Sequence, residues 1–387
     1  MKPEKRLVPK LRFPEFQDSG DWTADGLVTV ADFINDKIAL EQVALENYVS
    51  TENILADYGG IDKASKLPTT GSVTRFQSND TLVSNIRPYL KKVWVADKEG
   101  GASNDVIVIR AKTKLLPQYL SALLKNDAFI DYVMTGAKGV KMPRGDIGSV
   151  KAYPALYPAK PEQQKIAECL SSLDELIAAQ ARKVDALKTH KKGLMQQLFP
   201  REGETQPRLR FPEFEEPWIE SKLEDLCDSV SSGRDQIDSD GLFDLYGSTS
   251  VIGKTKNASF NGERILVARV GANAGMLTKA KGSFGVTDNT LVVRLKHSID
   301  IDFLFHYLGN ININKLIFGS GQPLITGSIL KSLPIQVPVD AEQRRVSACL
   351  SSFDELIIAQ SSELEAFKTH KKGLMQQLFP VSAEDKE

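Results

Sequence analysis

The sequence predicts an α+β protein built twice: two similar α/β domains separated by two long antiparallel coiled-coil helices, duplicated about a pseudo-twofold axis. Three observations carry this reading. Residues 162–200 (EQQKIAECLSSLDELIAAQARKVDALKTHKKGLMQQLFP) and 342–380 (EQRRVSACLSSFDELIIAQSSELEAFKTHKKGLMQQLFP) are displaced by 180 and identical at 26 of 39 positions. The motif Pro9-Lys10-LRFPEF recurs as Pro207-Arg208-LRFPEF, displaced by 198. Between these anchors DTLVSNIRPYLKKVWVADKEGGASNDVIVIRAK, from Asp80, lies without gaps on RILVARVGANAGMLTKAKGSFGVTDNTLVVRLK, from Arg264, at an offset of 184 that puts Arg110 on Arg294. The shrinking offset places insertions in the first copy before Asp80 and between Asn126 and Lys160.

The elements follow in order. Residues 1–160 form a first domain that opens with the short repeat motif at 9–16; 161–200 form a central helix; 201–340 form a second domain with its motif at 207–214; 341–380 form a C-terminal helix and 381–387 a tail. A length of 387 residues exceeds what one hydrophobic core normally supports, in keeping with two domains. Strands are expected at Thr81–Ile86, Val93–Ala96 and Val106–Arg110, and again at Ile265–Val270 and Thr290–Leu295, separated by polar, Gly-rich turns. Gln118-YLSALLKN falls on Asp302-FLFHYLGN, apolar at helical spacing in both copies. Each copy then has a Gly-rich loop, TGAKGVKMPRGD from Thr135 and FGSGQPLITGS from Phe318. Loops held on a rigid sheet are where recognition concentrates.

In the first long helix Ile166, Leu170, Leu173, Ile177, Gln180, Val184, Leu187, Lys191, Leu194 and Leu198 alternate steps of four and three, the period of a coiled-coil seam. Val346, Leu350, Phe353, Ile357, Gln360, Leu364, Phe367, Lys371, Leu374 and Leu378 repeat it. The polar interruptions recur in register, and Gln180 and Gln360 are expected to align one rod on the other. Pro161 suits a first helical position, Asp340 with Gln343 resembles a capping box, and Pro200 and Pro380 end the helices. At about 1.5 Å per residue each rod spans roughly 57 Å. Gly193 and Gly373 sit inside the helical pattern at a cost of about 1 kcal/mol each relative to alanine, which close approach by the other rod or a partner subunit would justify.

Composition is that of an ordinary globular protein, 41% apolar and 26% charged. No apolar stretch has the length of a signal peptide or a membrane span, so a cytoplasmic protein without membrane contact is expected. Of the three cysteines, Cys169 and Cys349 occupy equivalent helix positions and read as small buried residues; no Cys/His spacing suggests a metal site. The net charge of −1 hides an uneven distribution. Gln17–Ser84 carries −7, Asn85–Lys160 carries +7, and Ser250–Ile299 carries +6. Each copy thus has a basic segment suited to face phosphates.

With paired EQ…LSS.DELI…K..GLMQQLFP helices alternating with SNIRPYLKK…GGASND and RVGANAG…TDN segments, the chain resembles, over essentially its whole length, the specificity subunits of type I restriction-modification systems. The resemblance implies a non-catalytic subunit with two target-recognition domains, each reading one half of a bipartite site in double-stranded DNA, while the helices set the unread spacer. It also implies partners: two modification subunits that use S-adenosylmethionine to methylate adenine N6, and a restriction subunit that translocates and cleaves DNA with ATP and Mg²⁺. No cofactor is expected on this chain itself. Half-sites read from one face of B-DNA lie roughly 34–36 Å apart, and an adenine must be flipped out of the duplex for methylation.

Candidate DNA contacts are Asn85, Arg87, Tyr89, Lys91 and Lys92, which group polar, basic and aromatic side chains after a strand. Arg269 and Asn273 occupy the corresponding region of the second copy, and Lys254 and Arg264 belong to its basic segment. Asn104 and Asp105 match Asp288 and Asn289, for which turn formation and DNA contact are equally compatible with the residue types. Lys138, Lys141 and Arg144 come from the first Gly-rich loop, Ser320 and Gln322 from the second. On the helices Gln180, His190, Lys191 and Gly193, repeated as Gln360, His370, Lys371 and Gly373, are candidates for subunit contacts. The chain lacks the Asn/Asp-Pro-Pro-aromatic motif of a methyltransferase and a nuclease's carboxylate cluster. A non-catalytic coiled-coil scaffold or ligand-binding protein unrelated to DNA is the alternative, separable by the salt dependence of duplex binding.

Overall fold

Neighbouring residues of one fully buried central strand enter different cores, which shows how each domain is layered. In Thr81–Ser84, Leu82 joins the cluster Val49, Ile54, Phe76, Trp94 and Val108, whereas Val83 joins Val93, Ile109, Leu120 and Phe129. Successive side chains point to opposite faces of a strand, so one sheet serves two cores and its middle strand is apolar on both. In Arg264–Ala268, Leu266 and its neighbours Ile265 and Val267 divide the same way.

The computed structural model describes residues 7–311, 313–316 and 324–380. The chain forms two compact units, one of residues up to Ala179 with those from Leu364 onward, the other Gln180–Glu363. Each unit contains one domain and part of each long helix.

In the first unit the central antiparallel sheet has the order Ala31–Ile34, Val106–Ala111, Thr81–Ser84, Val93–Val95. A second sheet joins Lys37–Ala39, Ser72–Phe76, Gly100–Ala102 and Tyr48–Val49. Helices Pro117–Leu124 and Asp127–Thr135 cover the other face, the latter capped by Asn126 accepting from the Ala128 N–H at 3.1 Å. In the second unit the central order is Cys227–Ser232, Thr290–Leu295, Arg264–Ala268, Leu277–Ala280, beside the helix Ile301–Ile311. Its second sheet joins Val251–Thr255, Phe243–Tyr246, Ser283–Val286 and Phe260–Asn261.

The offset of 184 holds pair by pair. Val83 faces Ile107 and Val93, while Val267 faces Leu291 and Leu277. A slip of one residue would exchange the two faces, so burial on both sides pins this register in each copy.

The long helices are Lys160–Leu198 and Asp340–Leu378, and every seam position in both is buried or half-buried. In the second unit Lys191 pairs with Asp354, and Gln180 Nε2 donates to Gln360 O, Gln360 Oε1 and Glu363 Oε2 at 3.0, 3.1 and 3.1 Å. Numbers fall on one helix as they rise on the other, so the halves are antiparallel. In the first unit Lys371 pairs with Asp174 while Leu378 shares a core with Ile166 and Leu170.

One expectation about the helices is overturned and another is narrowed. Gln343 does not close a capping box: its buried amide donates to Pro338 O at 3.0 Å and accepts from the Asp300 N–H at 2.9 Å, joining the helix to its domain. Gln163 does the same with Pro158 O and the Leu116 N–H, at 2.8 and 2.9 Å. Nor does the opposite helix approach the glycines, since a Cβ at Gly193 or Gly373 meets no atom within 4 Å.

Both helix ends are locked to the domains by repeated devices. Arg12 makes a bidentate pair with buried Glu162 at 2.8 and 2.7 Å, and Arg210 with buried Glu342 at 2.8 Å twice. The LRFPEF motif thus supplies the partner of the Glu that opens each helix. At the other end Phe379 packs edge-on to Trp22 and tilted to Tyr119, and Phe199 packs on Phe303 and Tyr307.

His306 lies against the Lys191–Asp354 pair, its buried Nε2 3.7 Å from Asp354 Oδ2 and without a hydrogen bond among the described residues. Burial, reinforced by Lys191, pushes its imidazole down to about 4 from 6.5. The folded chain holds it neutral where the unfolded chain binds a proton, so its contribution is present above pH 6.5 and is lost as pH falls from 6.5 toward 4. Between pH 7 and pH 5 the second unit is expected to lose on the order of 2 kcal/mol through this group. Denaturant unfolding of His306→Gln should show a flatter pH dependence, and an unchanged slope would refute the assignment.

Candidate nucleic-acid interface

At one end of each central sheet the backbone is framed identically. The N–H of Asn85 donates to Asp105 O at 2.9 Å, and Asn85 O accepts from Gly145 N–H at 3.1 Å. The N–H of Arg269 donates to Asn289 O at 2.9 Å, and Arg269 O accepts from Ile325 N–H at 2.8 Å. Isolated bridges Ile86–Arg144 and Val270–Leu324 extend the match. The strand end, the turn before the next strand and the Gly-rich loop therefore converge in both copies, and the side chains they carry differ.

In the first copy this convergence gathers Asn85, Arg87, Lys138, Lys141 and Arg144. Arg144 forms a pair with Asp105 at 3.1 Å with both side chains well exposed, so it is worth little to stability and is free to exchange partners. Lys138 and Lys141 are exposed, and beside them Val140 and Met142 stand in solvent, an apolar tip that charge-based reading misses. Tyr89 is exposed. Asn104 accepts from Lys37 Nζ at 2.6 Å, which favours its turn-holding role. Lys91 and Lys92 serve the protein itself: Lys91 pairs with Asp127 at 2.7 Å and Lys92 Nζ donates to Thr51 O at 2.7 Å.

In the second copy Arg269 is half-buried with its Nε unpartnered, and Asn273 and Asn289 are exposed on adjacent turns. Lys254 lies on the hairpin strand Val251–Thr255, paired with Asp244 at 2.7 Å. Arg264 is not brought to this end. It starts the strand that Arg269 follows, in the place of Asp80, whose buried carboxylate holds Arg110 through two 2.7 Å bonds. Burial and the neighbouring Arg294 lower the Arg264 pKa. Ser320 and Gln322 lie outside the described residues.

On the helices, Lys191 and Lys371 are engaged with Asp354 and Asp174, and Gln180 with Gln360, so these four are occupied within the chain. His190 and His370 remain exposed, the former against Phe353 at 5.2 Å. Sequence reasoning misses Leu176 and Leu356, equivalent leucines one residue off the seam that are 52% and 49% exposed. An identical leucine off the seam in both copies is the signal that could have found them. Among the described residues no helix is long and apolar enough to cross a membrane.

Comparison with known proteins agrees with this duplicated frame. The family model of the type I restriction modification DNA specificity domain matches residues 42–189 and again 215–366. The EcoprrI specificity subunit of Escherichia coli is 33% identical over 115 residues, 30% of this chain and 29% of that protein, so the match spans less than a third of its length. The MjaVIII specificity subunit of Methanocaldococcus jannaschii is 25% identical over 319 residues, 73% of this chain and 74% of that one. In fold the chain is similar to the S subunit of a type I restriction-modification system from M. genitalium, with a TM-score of 0.65 at 16% identity, covering 97% of this chain and 100% of that one. A chain from a structural study of assembly and conformational transition in a type I system gives 0.58 at 18% identity, covering 98% and 99%. Two matches to one DNA specificity domain, spanning most of the sequence, establish that the chain belongs to the specificity-subunit family of type I restriction-modification systems, with two recognition domains.

Proposed function

We propose that each domain reads one half of a bipartite duplex target, that the helices set the unread spacer, and that two modification subunits dock on the repeated helix surfaces. Chemistry then belongs to the partners. The modification subunits methylate adenine N6 with S-adenosylmethionine, and a restriction subunit uses ATP and Mg²⁺. The observation that carries this reading is the pair of equivalent backbone frames with unlike side chains. A common frame suits two sites that meet the same duplex geometry, and divergent side chains suit two different base sequences.

The helices support the docking part. Leu176 with Leu356, His190 with His370 and Gly193 with Gly373 are identical between copies. The leucines and histidines are exposed, and the glycines have open space beside them. Two identical surfaces on one chain fit two copies of one partner. Each helix glycine costs about 1 kcal/mol relative to alanine, a penalty offset if a partner backbone approaches there.

The test is to produce the chain with type I modification subunits and map methylated adenines across a host genome. A split motif, two defined stretches around unread bases, present only with this chain is expected. Methylation at a single uninterrupted stretch, or at the same sites without the chain, would contradict the proposal. Purified chain that binds duplexes with neither salt dependence nor sequence preference would favour a scaffold instead.

A further inference from the structure

Five non-glycine residues among those described adopt left-handed backbone: Asp57, Tyr58, Asn79, Arg87 and Lys91, and four of them meet in one place. The N–H of Asp57 donates to Leu90 O and that of Tyr58 to Lys91 O, both at 3.0 Å, so this pair braces the turn bounded by Arg87 and Lys91. The second copy has the same turn at the same offset, but there the left-handed residues are Gly271 and Gly275, at φ 74° and 89°. Where one domain uses glycine, the other holds an arginine at φ 51° and a lysine at φ 53°. Such backbone is costly for any side chain with a Cβ, and Arg87 also precedes Pro88, which narrows its choices further.

Strain of this kind persists only where the surroundings enforce it. Both insertions of the first copy do so. The segment before Asp80 supplies Asp57, Tyr58 and the Thr51 carbonyl that accepts from Lys92 at 2.7 Å. The segment after Asn126 supplies Asp127, 2.7 Å from Lys91, and the Pro143 carbonyl that accepts the Arg87 N–H at 2.8 Å. Lys91 thus has a structural reason to be lysine. Arg87 has none within the chain: its Nε is buried and unpartnered, and among the described residues its guanidinium has no hydrogen-bond or ion-pair partner.

We propose that Arg87 is a specificity-determining residue of the first domain, held by the braced turn so that its two terminal nitrogens read a guanine in one half of the target. With Nε against protein, the Nη1/Nη2 edge is what remains to be presented, and that fork matches guanine O6 and N7 in the major groove. A phosphate contact is the competing use. Phosphate contacts position a duplex whatever its sequence, so a domain built on the same frame would keep one, yet the second copy has Gly271 at this place and no side chain at all. Exposed Lys138 and Lys141 in the adjoining loop already offer mobile positive charge, whereas base reading needs a fork held still.

This inference rests on the DNA-reading function proposed above, and the test separates the two. The full chain, assembled with its modification subunits, is compared as wild type, Arg87→Gly and Arg87→Lys by mapping methylated adenines and by thermal unfolding. Wild type failing to direct any sequence-defined methylation would sink the general function. Given a wild-type motif, the inference expects one half to contain a guanine at which both variants lose about 10- to 100-fold preference, with the other half unchanged. Arg87→Gly should melt no lower than wild type and about 1–3 °C higher, because it removes strain while removing recognition. Arg87→Lys keeping full preference would show that a flexible ammonium serves equally and overturn the proposed contact by a held two-nitrogen fork. So would an unchanged motif in Arg87→Gly, or a clear drop in its melting temperature.

Discussion

Replacing Arg210 by alanine is expected to destabilise the second unit by about 3–5 kcal/mol, and Arg12→Ala should do the same to the first. Glu342 and Glu162 are fully buried, and each receives two hydrogen bonds from one guanidinium. Arg12 also donates to Ser19 O and Gly20 O at 2.7 and 3.1 Å, so one side chain joins the N-terminal segment, the following turn and the long helix. Removing it leaves a buried carboxylate without its two donors, which costs more than the pair contributes. A double variant, Arg210→Met with Glu342→Met, should recover most of the loss, because apolar residues of similar volume commonly replace buried pairs at little cost. Hydrogen exchange resolved by unit is the appropriate measurement, since two units need not unfold in one step. A loss below about 1 kcal/mol, or a double variant no better than the single, would show that the pair is not an anchor.

These anchors explain why the duplication was easy to see and its cause was not. Strand register was legible because an ungapped offset must be preserved when both faces of a strand are buried, and the observed pairs Val83–Ile107 and Val267–Leu291 obey it. The seam was legible because its period is set by helix geometry. Identity between helices, by contrast, states that a position is constrained without saying by what. Glu162, Gln163, Asp174, Lys371 and Phe379 and their counterparts are held by contacts inside the chain, and only a remainder that includes Leu176, His190 and Gly193 is left facing outward.

The candidate site divides in the same way. Residue type and position after a strand found Asn85 and Arg87, and the Gly-rich loop supplied Arg144, which the fold brings to them. Charge alone places Arg264 among them, although its alignment with Asp80, at the start of a strand, puts it at the far end. The left-handed backbone of Arg87 has no local signature in arginine; only the column pairing Arg87 with Gly271 and Lys91 with Gly275 carries it.

The outward-facing remainder sets the second large effect. On the proposed docking of two modification subunits, Leu176→Asp and Leu356→Asp should each remove one partner, and the double variant should remove both along with sequence-defined methylation. Each leucine is about half exposed and lies off the seam, so its replacement leaves the helix pair intact. Burying a leucine side chain is worth about 1.5–3 kcal/mol, and forcing a carboxylate into that apolar contact adds a desolvation penalty of similar size. A loss of about 3–4 kcal/mol per site weakens binding roughly 100- to 1,000-fold, enough to empty a site of micromolar affinity. Because the two surfaces are identical in these residues but sit in different units, the effects should be independent. Native mass spectrometry should show two partners on wild type, one on either single variant and none on the double, with circular dichroism melts unchanged. Two partners retained on the double variant would mean that docking uses some other surface, and the exposed leucines would then need a different explanation.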